Sequence, residues 1–102
     1  MPLLHIEFQE GFMDDTVVVR IDNKEVCRKP NVRTRLQTGY ADSCEVDVRG
    51  NTVNVKVALP LRNLSKVIPI VFDGAASIYL GLSVTPEGSI SERVSHEPFG
   101  YL

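Results

Sequence analysis

The imidazole and thiol groups of this sequence, the types that ligate zinc or act as nucleophiles, are four: His5, His96, Cys27 and Cys44. The histidines lie one near each end, so a joint His–Cys or His–carboxylate site requires the chain ends to meet, as they often do. No H-x-x-x-H, C-x-x-C or H-E-x-x-H spacing occurs, which leaves zinc without local support; two surface imidazoles are the simpler reading. Cys44 falls on the apolar side of an alternating segment, where a thiol behaves as a small hydrophobe. Cys27 has Arg20, Arg28 and Lys29 for neighbours, and nearby cations favour a thiolate, but the sequence places no base beside it. Spacing leaves a bridge between the two cysteines open, though one pair is not a disulfide framework. With no G-x-S-x-G, P-loop or dinucleotide fingerprint either, no catalytic residue, metal or cofactor is expected.

Binding chemistry has more to work with. Glu7, Glu10, Asp14 and Asp15 bracket a loop over Gln9–Asp15 that could hold calcium, but the alternating D-x-D-x-D-G layout is missing and a solvated acidic loop is the simpler reading. The run Arg28-Lys29-Pro30-Asn31-Val32-Arg33-Thr34-Arg35 carries four cations and no acid in a chain whose net charge is −2. On a strand, Arg33 and Arg35 would project from one face about 6.5–7 Å apart, able to grip carboxylates, phosphates or sulfates through forked hydrogen bonds. They could equally pair with acids across a sheet or guard an edge strand. Tyr40, in the loop Thr38-Gly39-Tyr40-Ala41-Asp42, is the one loop aromatic placed to stack on a sugar. Arg33, Arg35 and Tyr40 are therefore the candidate site for a carbohydrate or small anion.

A second candidate surface is apolar. The end of the chain, Glu97-Pro98-Phe99-Gly100-Tyr101-Leu102, puts three large apolar residues where termini are usually polar. They could fold back over Ile68, Ile70, Phe72 and Tyr79, or reach with them to a second subunit.

Strands must position all of these groups. The chain holds 14 Val and 6 Ile against 4 Ala and 9 Leu, and branching at Cβ suits a pleated sheet better than a helix. Alternation predicts a hairpin over Ser43–Leu59, turning at Gly50-Asn51, with Val48 opposite Val53, Val46 opposite Val55, Cys44 opposite Val57 and Glu45 opposite Lys56. A second hairpin joins Thr16–Asp22 to Lys24–Arg28 through Asp22-Asn23, setting Val19 against Val26 and Arg20 against Glu25 and leaving Cys27 on the outer face beside Val18. A third turns at Asp73-Gly74 between Lys66–Phe72 and Ala75–Val84. One of its faces carries Ala76, Ile78, Leu80, Leu82 and Val84, with Val67 and Val71 opposite; Ile68, Ile70, Phe72 and Tyr79 lie on the other, and Pro69 marks an edge or a bulge. A sheet apolar on both faces needs cover on both. Leu3–Phe8, Val32–Gln37 and Ser89–Ser95 complete the strands, the last with Ile90 and Val94 inward, and Pro60–Leu64 is a connection.

These elements predict one all-β domain over residues 1–102: a small antiparallel β-sandwich, immunoglobulin-like or jelly-roll-like, of seven or eight strands, or else a small barrel. Residues 96–102 form an interface or a fold-back tail. With 11 Lys plus Arg against 13 Asp plus Glu, the chain lacks the basic excess of a nucleic-acid binder, and no apolar run is long enough to span a membrane. MPLLHIEFQE does not read as a secretory signal, which points to the cytoplasm and reduced thiols, or to secretion for a module trimmed from a longer precursor. The expected function is non-enzymatic association with a protein partner or a second copy, with carbohydrate or anion binding as the alternative and a small thiol or metal enzyme last.

Overall fold

Strands form where branched side chains alternate with polar ones, and eight of them build two four-stranded sheets in the computed structural model, which describes residues 2–100. In chain order they are β1 (Leu3–Phe8), β2 (Asp15–Ile21), β3 (Lys24–Val32), β4 (Asp42–Asp47), β5 (Thr52–Leu59), β6 (Leu64–Val71), β7 (Ser77–Val84) and β8 (Ile90–Ser95), with a 3-10 turn at Pro60–Arg62 between β5 and β6. One sheet has the order β4-β1-β7-β8 and the other β3-β2-β5-β6. All neighbours are antiparallel except β1 and β7, which run parallel. No helix among the described residues is long and apolar enough to cross a membrane.

One alternating set of apolar side chains on the strands turns inward. Leu4, Ile6 and Phe8 of β1 and Ile78, Leu80 and Leu82 of β7 pack against Val17 and Val19 of β2, Val53, Val55 and Val57 of β5, and Ile68 and Ile70 of β6, all fully buried. Burying such side chains contributes roughly 1.5–3 kcal/mol apiece, and this shared layer holds the sheets together. Along one open edge β3 lies over β4, and Lys29 Nζ stands 3.9 Å from Asp42 Oδ1. Along the other, Lys66 Nζ of β6 reaches Glu92 of β8 at 2.9 Å and donates to the Ile90 carbonyl at 3.2 Å.

Two expected hairpins are arches instead. β4 pairs with β1 and β5 with β2 and β6, so Ser43–Leu59 crosses from one sheet to the other. Val46 and Val55 face one another's layer across the core rather than lying side by side. The Glu45–Lys56 pair is replaced accordingly: Glu45 Oε1 lies 3.2 Å from His5 Nδ1, and Lys56 stands opposite Arg20 and Val67. The Asp73-Gly74 turn behaves the same way, with β6 in one sheet and β7 in the other. Its two residues do take the left-handed backbone that the sequence requires, at φ 50° and 82°, and the two arches are joined by the Phe72 N–H donating to the Asn51 carbonyl at 2.7 Å. Alternation specifies which side chains face the core; it does not specify whether the next strand sits beside or opposite.

The doubly apolar hairpin therefore does not exist. Ile68, Ile70 and Phe72 are core residues of the second sheet, and only Tyr79 of that set points outward, on β7. Pro69 does lie on an edge strand, β6.

The hairpin β2–β3 turns at Asp22-Asn23, both left-handed, and keeps Arg20 opposite Glu25. A bulge between Val19 and Arg20 sets Val19 against Cys27 instead of Val26. The one-residue slip turns Cys27 inward, where it is 9% exposed, rather than outward beside Val18. β3 ends at Val32, so Val32–Gln37 is not a strand, and a turn occupies 36–39. In β8, Ile90 is buried but Val94, opposite the buried Leu80, is 48% exposed, because β8 is the edge strand of its sheet.

Candidate functional site

The loops at one end of the sandwich converge on the segment Arg33–Thr34–Arg35. The first of them, between β1 and β2, is pinned by backbone bonds to the end of β7: the Gln9 N–H donates to the Leu82 carbonyl at 2.7 Å and the Val84 N–H to the Glu10 carbonyl at 2.8 Å. This approach is so close that a Cβ on Gly11 would lie 1.9 Å from the Val84 carbonyl oxygen, and Gly11 has φ 85°. Only glycine fits both demands. Phe12 follows into the core, its ring 5.7 Å from that of Phe8 in an edge-on arrangement. Asp15, 2% exposed, closes the loop. Its carboxylate accepts a fork from Arg62 Nε and Nη2, both at 2.8 Å, and a bond from the Met13 N–H at 2.9 Å, while Arg62 Nη2 also donates to the Gly11 carbonyl at 3.0 Å.

Thr34 stitches the β3–β4 connection to that loop. Its hydroxyl donates to the Gln9 carbonyl at 2.6 Å and accepts from the Phe12 N–H at 3.0 Å, and its own N–H donates to the Phe12 carbonyl at 3.0 Å. Beyond it the chain makes a tight turn. The Gly39 N–H donates to the Arg35 carbonyl at 2.8 Å, and the Arg35 N–H to the Tyr40 carbonyl at 3.0 Å.

The result is a ridge, Arg33–Thr34–Arg35, between two clefts. One, of about 430 Å³, is polar and has Asn31, Ala41 and Asp42 on its far wall. The other, of about 500 Å³, is floored by Phe12 and walled by Glu10, Met13 and Leu36. Met13 is 71% and Leu36 98% exposed, an uncommon setting for two large apolar side chains facing one groove. Arg33 sits 3.6 Å from Asp14, both of them largely in solvent, where such a pair contributes little. Arg35 makes no ion pair among the described residues.

The structure thus brings Arg33 and Arg35 together, as loop residues rather than on a strand face. Tyr40 flanks the same turn, half-buried, with its hydroxyl bonded to Ser43 Oγ at 3.0 Å. Tyr79 lies away from this end, stacked on His5 with ring centroids 4.3 Å apart and planes 10° from parallel. Phe99 folds back under Arg93, whose guanidinium carbon is 4.4 Å from the ring centroid; Tyr101 and Leu102 lie outside the described residues. Of the acidic loop, Asp15 is taken by Arg62 and Asp14 by Arg33, and no three His, Cys, Asp or Glu side chains among the described residues converge as a metal-ligand set.

Sequence reasoning missed Met13 and Leu36. Leu36 was expected on a strand with Val32 and Thr34; the signal against this was the adjacent Thr38-Gly39, a turn pair that strands do not carry. No family model and no curated protein matches this chain.

Proposed function

We propose that this chain is a non-enzymatic binding module that docks a segment of a partner protein in the groove between the β1–β2 and β3–β4 loops. The carrying observation is the pair of exposed apolar side chains, Met13 and Leu36, beside Arg35, a cation with no ion pair among the described residues. A segment suited to this groove has an apolar side chain to cover Met13 and Leu36 and a carboxylate within reach of Arg35. The forked guanidinium favours a carboxylate in two-point contact. Self-association through Ile68, Ile70 and Phe72 loses its basis, since these side chains fill the core.

Anion binding is the second reading, supported by the polar cleft where Asn31, Arg33 and Arg35 come together; Asp42 in its wall opposes it.

The test is selection from a displayed random-peptide library against the full chain, with counter-selection on Met13→Ser/Leu36→Ser and on Arg35→Glu. Enrichment of peptides pairing an apolar residue with an acidic one, lost on both variants, is expected. Failure to enrich any sequence over the variants overturns the reading. Displacement by millimolar sulfate of peptides that bind without an apolar residue favours the anion alternative.

A further inference from the structure

Lys29 and Asp42 meet where β3 and β4 close one edge of the sandwich, 3.9 Å apart. Stepping two residues back along β3 reaches Cys27, and stepping two residues on along β4 reaches Cys44. Side chains two apart share a strand face, so Cys27 and Cys44 occupy the next rung of the same seam, one from each sheet. Both belong to the core layer, Cys27 buried within it and Cys44 half-buried against it. The two thiols are near enough for Cys27 to raise the Cys44 thiol. Two cysteines facing one another from adjacent edge strands, two residues from a 3.9 Å side-chain contact, are placed for the short Cα separation that a disulfide requires.

We propose that Cys27 and Cys44 form a reversible disulfide that joins the two sheets at the base of the β3–β4 connection. The oxidant is a low-molecular-weight disulfide. Cys44, the more exposed thiol, loses its proton to solvent and its thiolate attacks one sulfur of the oxidant, breaking that S–S bond and releasing one thiolate. Cys27, deprotonated in turn, attacks the Cys44 sulfur of the mixed disulfide and expels the second thiolate. The two protons end on the two released thiols, so two protein thiols are oxidised and one small disulfide is reduced.

The covalent ring so formed encloses Arg28–Ser43, the stretch that carries Arg33, Arg35, Leu36 and Tyr40. Oxidation therefore fixes the base of the loop that walls the groove, and its effect on docking rests on the binding reading above. The disulfide itself does not. Burial, reinforced by the neighbouring Cys27 and Asp42 and opposed by Lys29, pushes the Cys44 thiol well above the ordinary thiol range. Reaction accordingly starts slowly at neutral pH and quickens as pH rises.

The experiment incubates the full reduced chain with oxidised glutathione at pH 8, without any peptide present, and reads intact mass, free thiols and melting temperature. Expected are the loss of two hydrogens, no remaining free thiol, and a rise in Tm on the order of 10 °C. The Cys27→Ser and Cys44→Ser chains, which cannot bridge, show no such rise. A persistent single glutathione adduct overturns the proposal. So does a native chain that stays reduced where the unfolded chain oxidises. Groove binding is then measured on the bridged and reduced forms separately, so a failure of docking leaves the disulfide result standing.

Discussion

Asp15 and Arg62 form a forked ion pair across the end of the sandwich, with both nitrogen–oxygen distances at 2.8 Å and the carboxylate almost wholly buried. The pair ties the loop below the groove to the β5–β6 turn, and it leaves Arg62 free to hold the Gly11 carbonyl as well. Removing Arg62 strands a buried carboxylate. Arg62→Ala is expected to lower stability by about 3 kcal/mol, while replacing both partners, Asp15→Asn with Arg62→Met, recovers part of the loss. Urea denaturation of the three chains measures this.

Gly11 and Gly50 share a φ of 85°, but a Cβ on Gly50 meets nothing within 4 Å and one on Gly11 meets the Val84 carbonyl. Gly50→Ala should therefore cost only the left-handed backbone penalty, about 1–2 kcal/mol. Gly11→Ala adds a backbone collision and should cost on the order of 3 kcal/mol or more. Equal losses in a denaturant comparison would mean that the close approach to β7 is wrong.

Ile68 and Ile70 distinguish a core from an interface. As core residues, each cut to Ala should lower stability by about 2–5 kcal/mol and leave the native mass in light scattering unchanged. A change in mass without loss of stability would restore them to a subunit contact. Met13→Ser and Leu36→Ser should do the opposite, moving stability by less than about 0.5 kcal/mol.

Cys44 gives the reduced protein a pH dependence. Its folded-state pKa is raised by burial, so the folded chain retains a proton that the unfolded chain releases above about pH 8.5. The stability linked to this group is full below that value and is lost as pH rises above it. Under reducing conditions, Tm should fall more steeply between pH 8 and 10 for the native sequence than for Cys44→Ser. Parallel slopes would show that burial of the thiol is not felt.

Much of this architecture is legible in the residues themselves. Alternation of Val with polar residues marks the inward face of β5, Asp22-Asn23 and Asp73-Gly74 mark true left-handed turns, and Pro69 marks an edge strand. Partnership is not legible. A Val-rich strand presents the same pattern to a neighbour alongside and to a layer opposite, so the Gly50-Asn51 and Asp73-Gly74 arches read as hairpins. Nor does any residue type announce the bulge at Val26, and that single extra residue carries Cys27 from the outer face to the seam with Cys44. At the groove, Arg33 and Arg35 stand out by their charge. Leu36 does not, because an apolar side chain next to Val32 and Thr34 looks like an inward strand residue until the turn at 36–39 is seen, and Met13 does not, because a lone apolar residue in an acidic loop carries no signal of its own.

The binding reading is tested most directly by titrating the isotope-labelled full chain with a selected peptide and following backbone amide shifts. Docking in the groove moves the amides of Gly11–Met13 and Arg33–Gly39 and leaves the outer face of β6, where Val67 and Val71 are also exposed, unperturbed. Shifts centred on Val67 and Val71, with the Arg33–Gly39 turn silent, would contradict it.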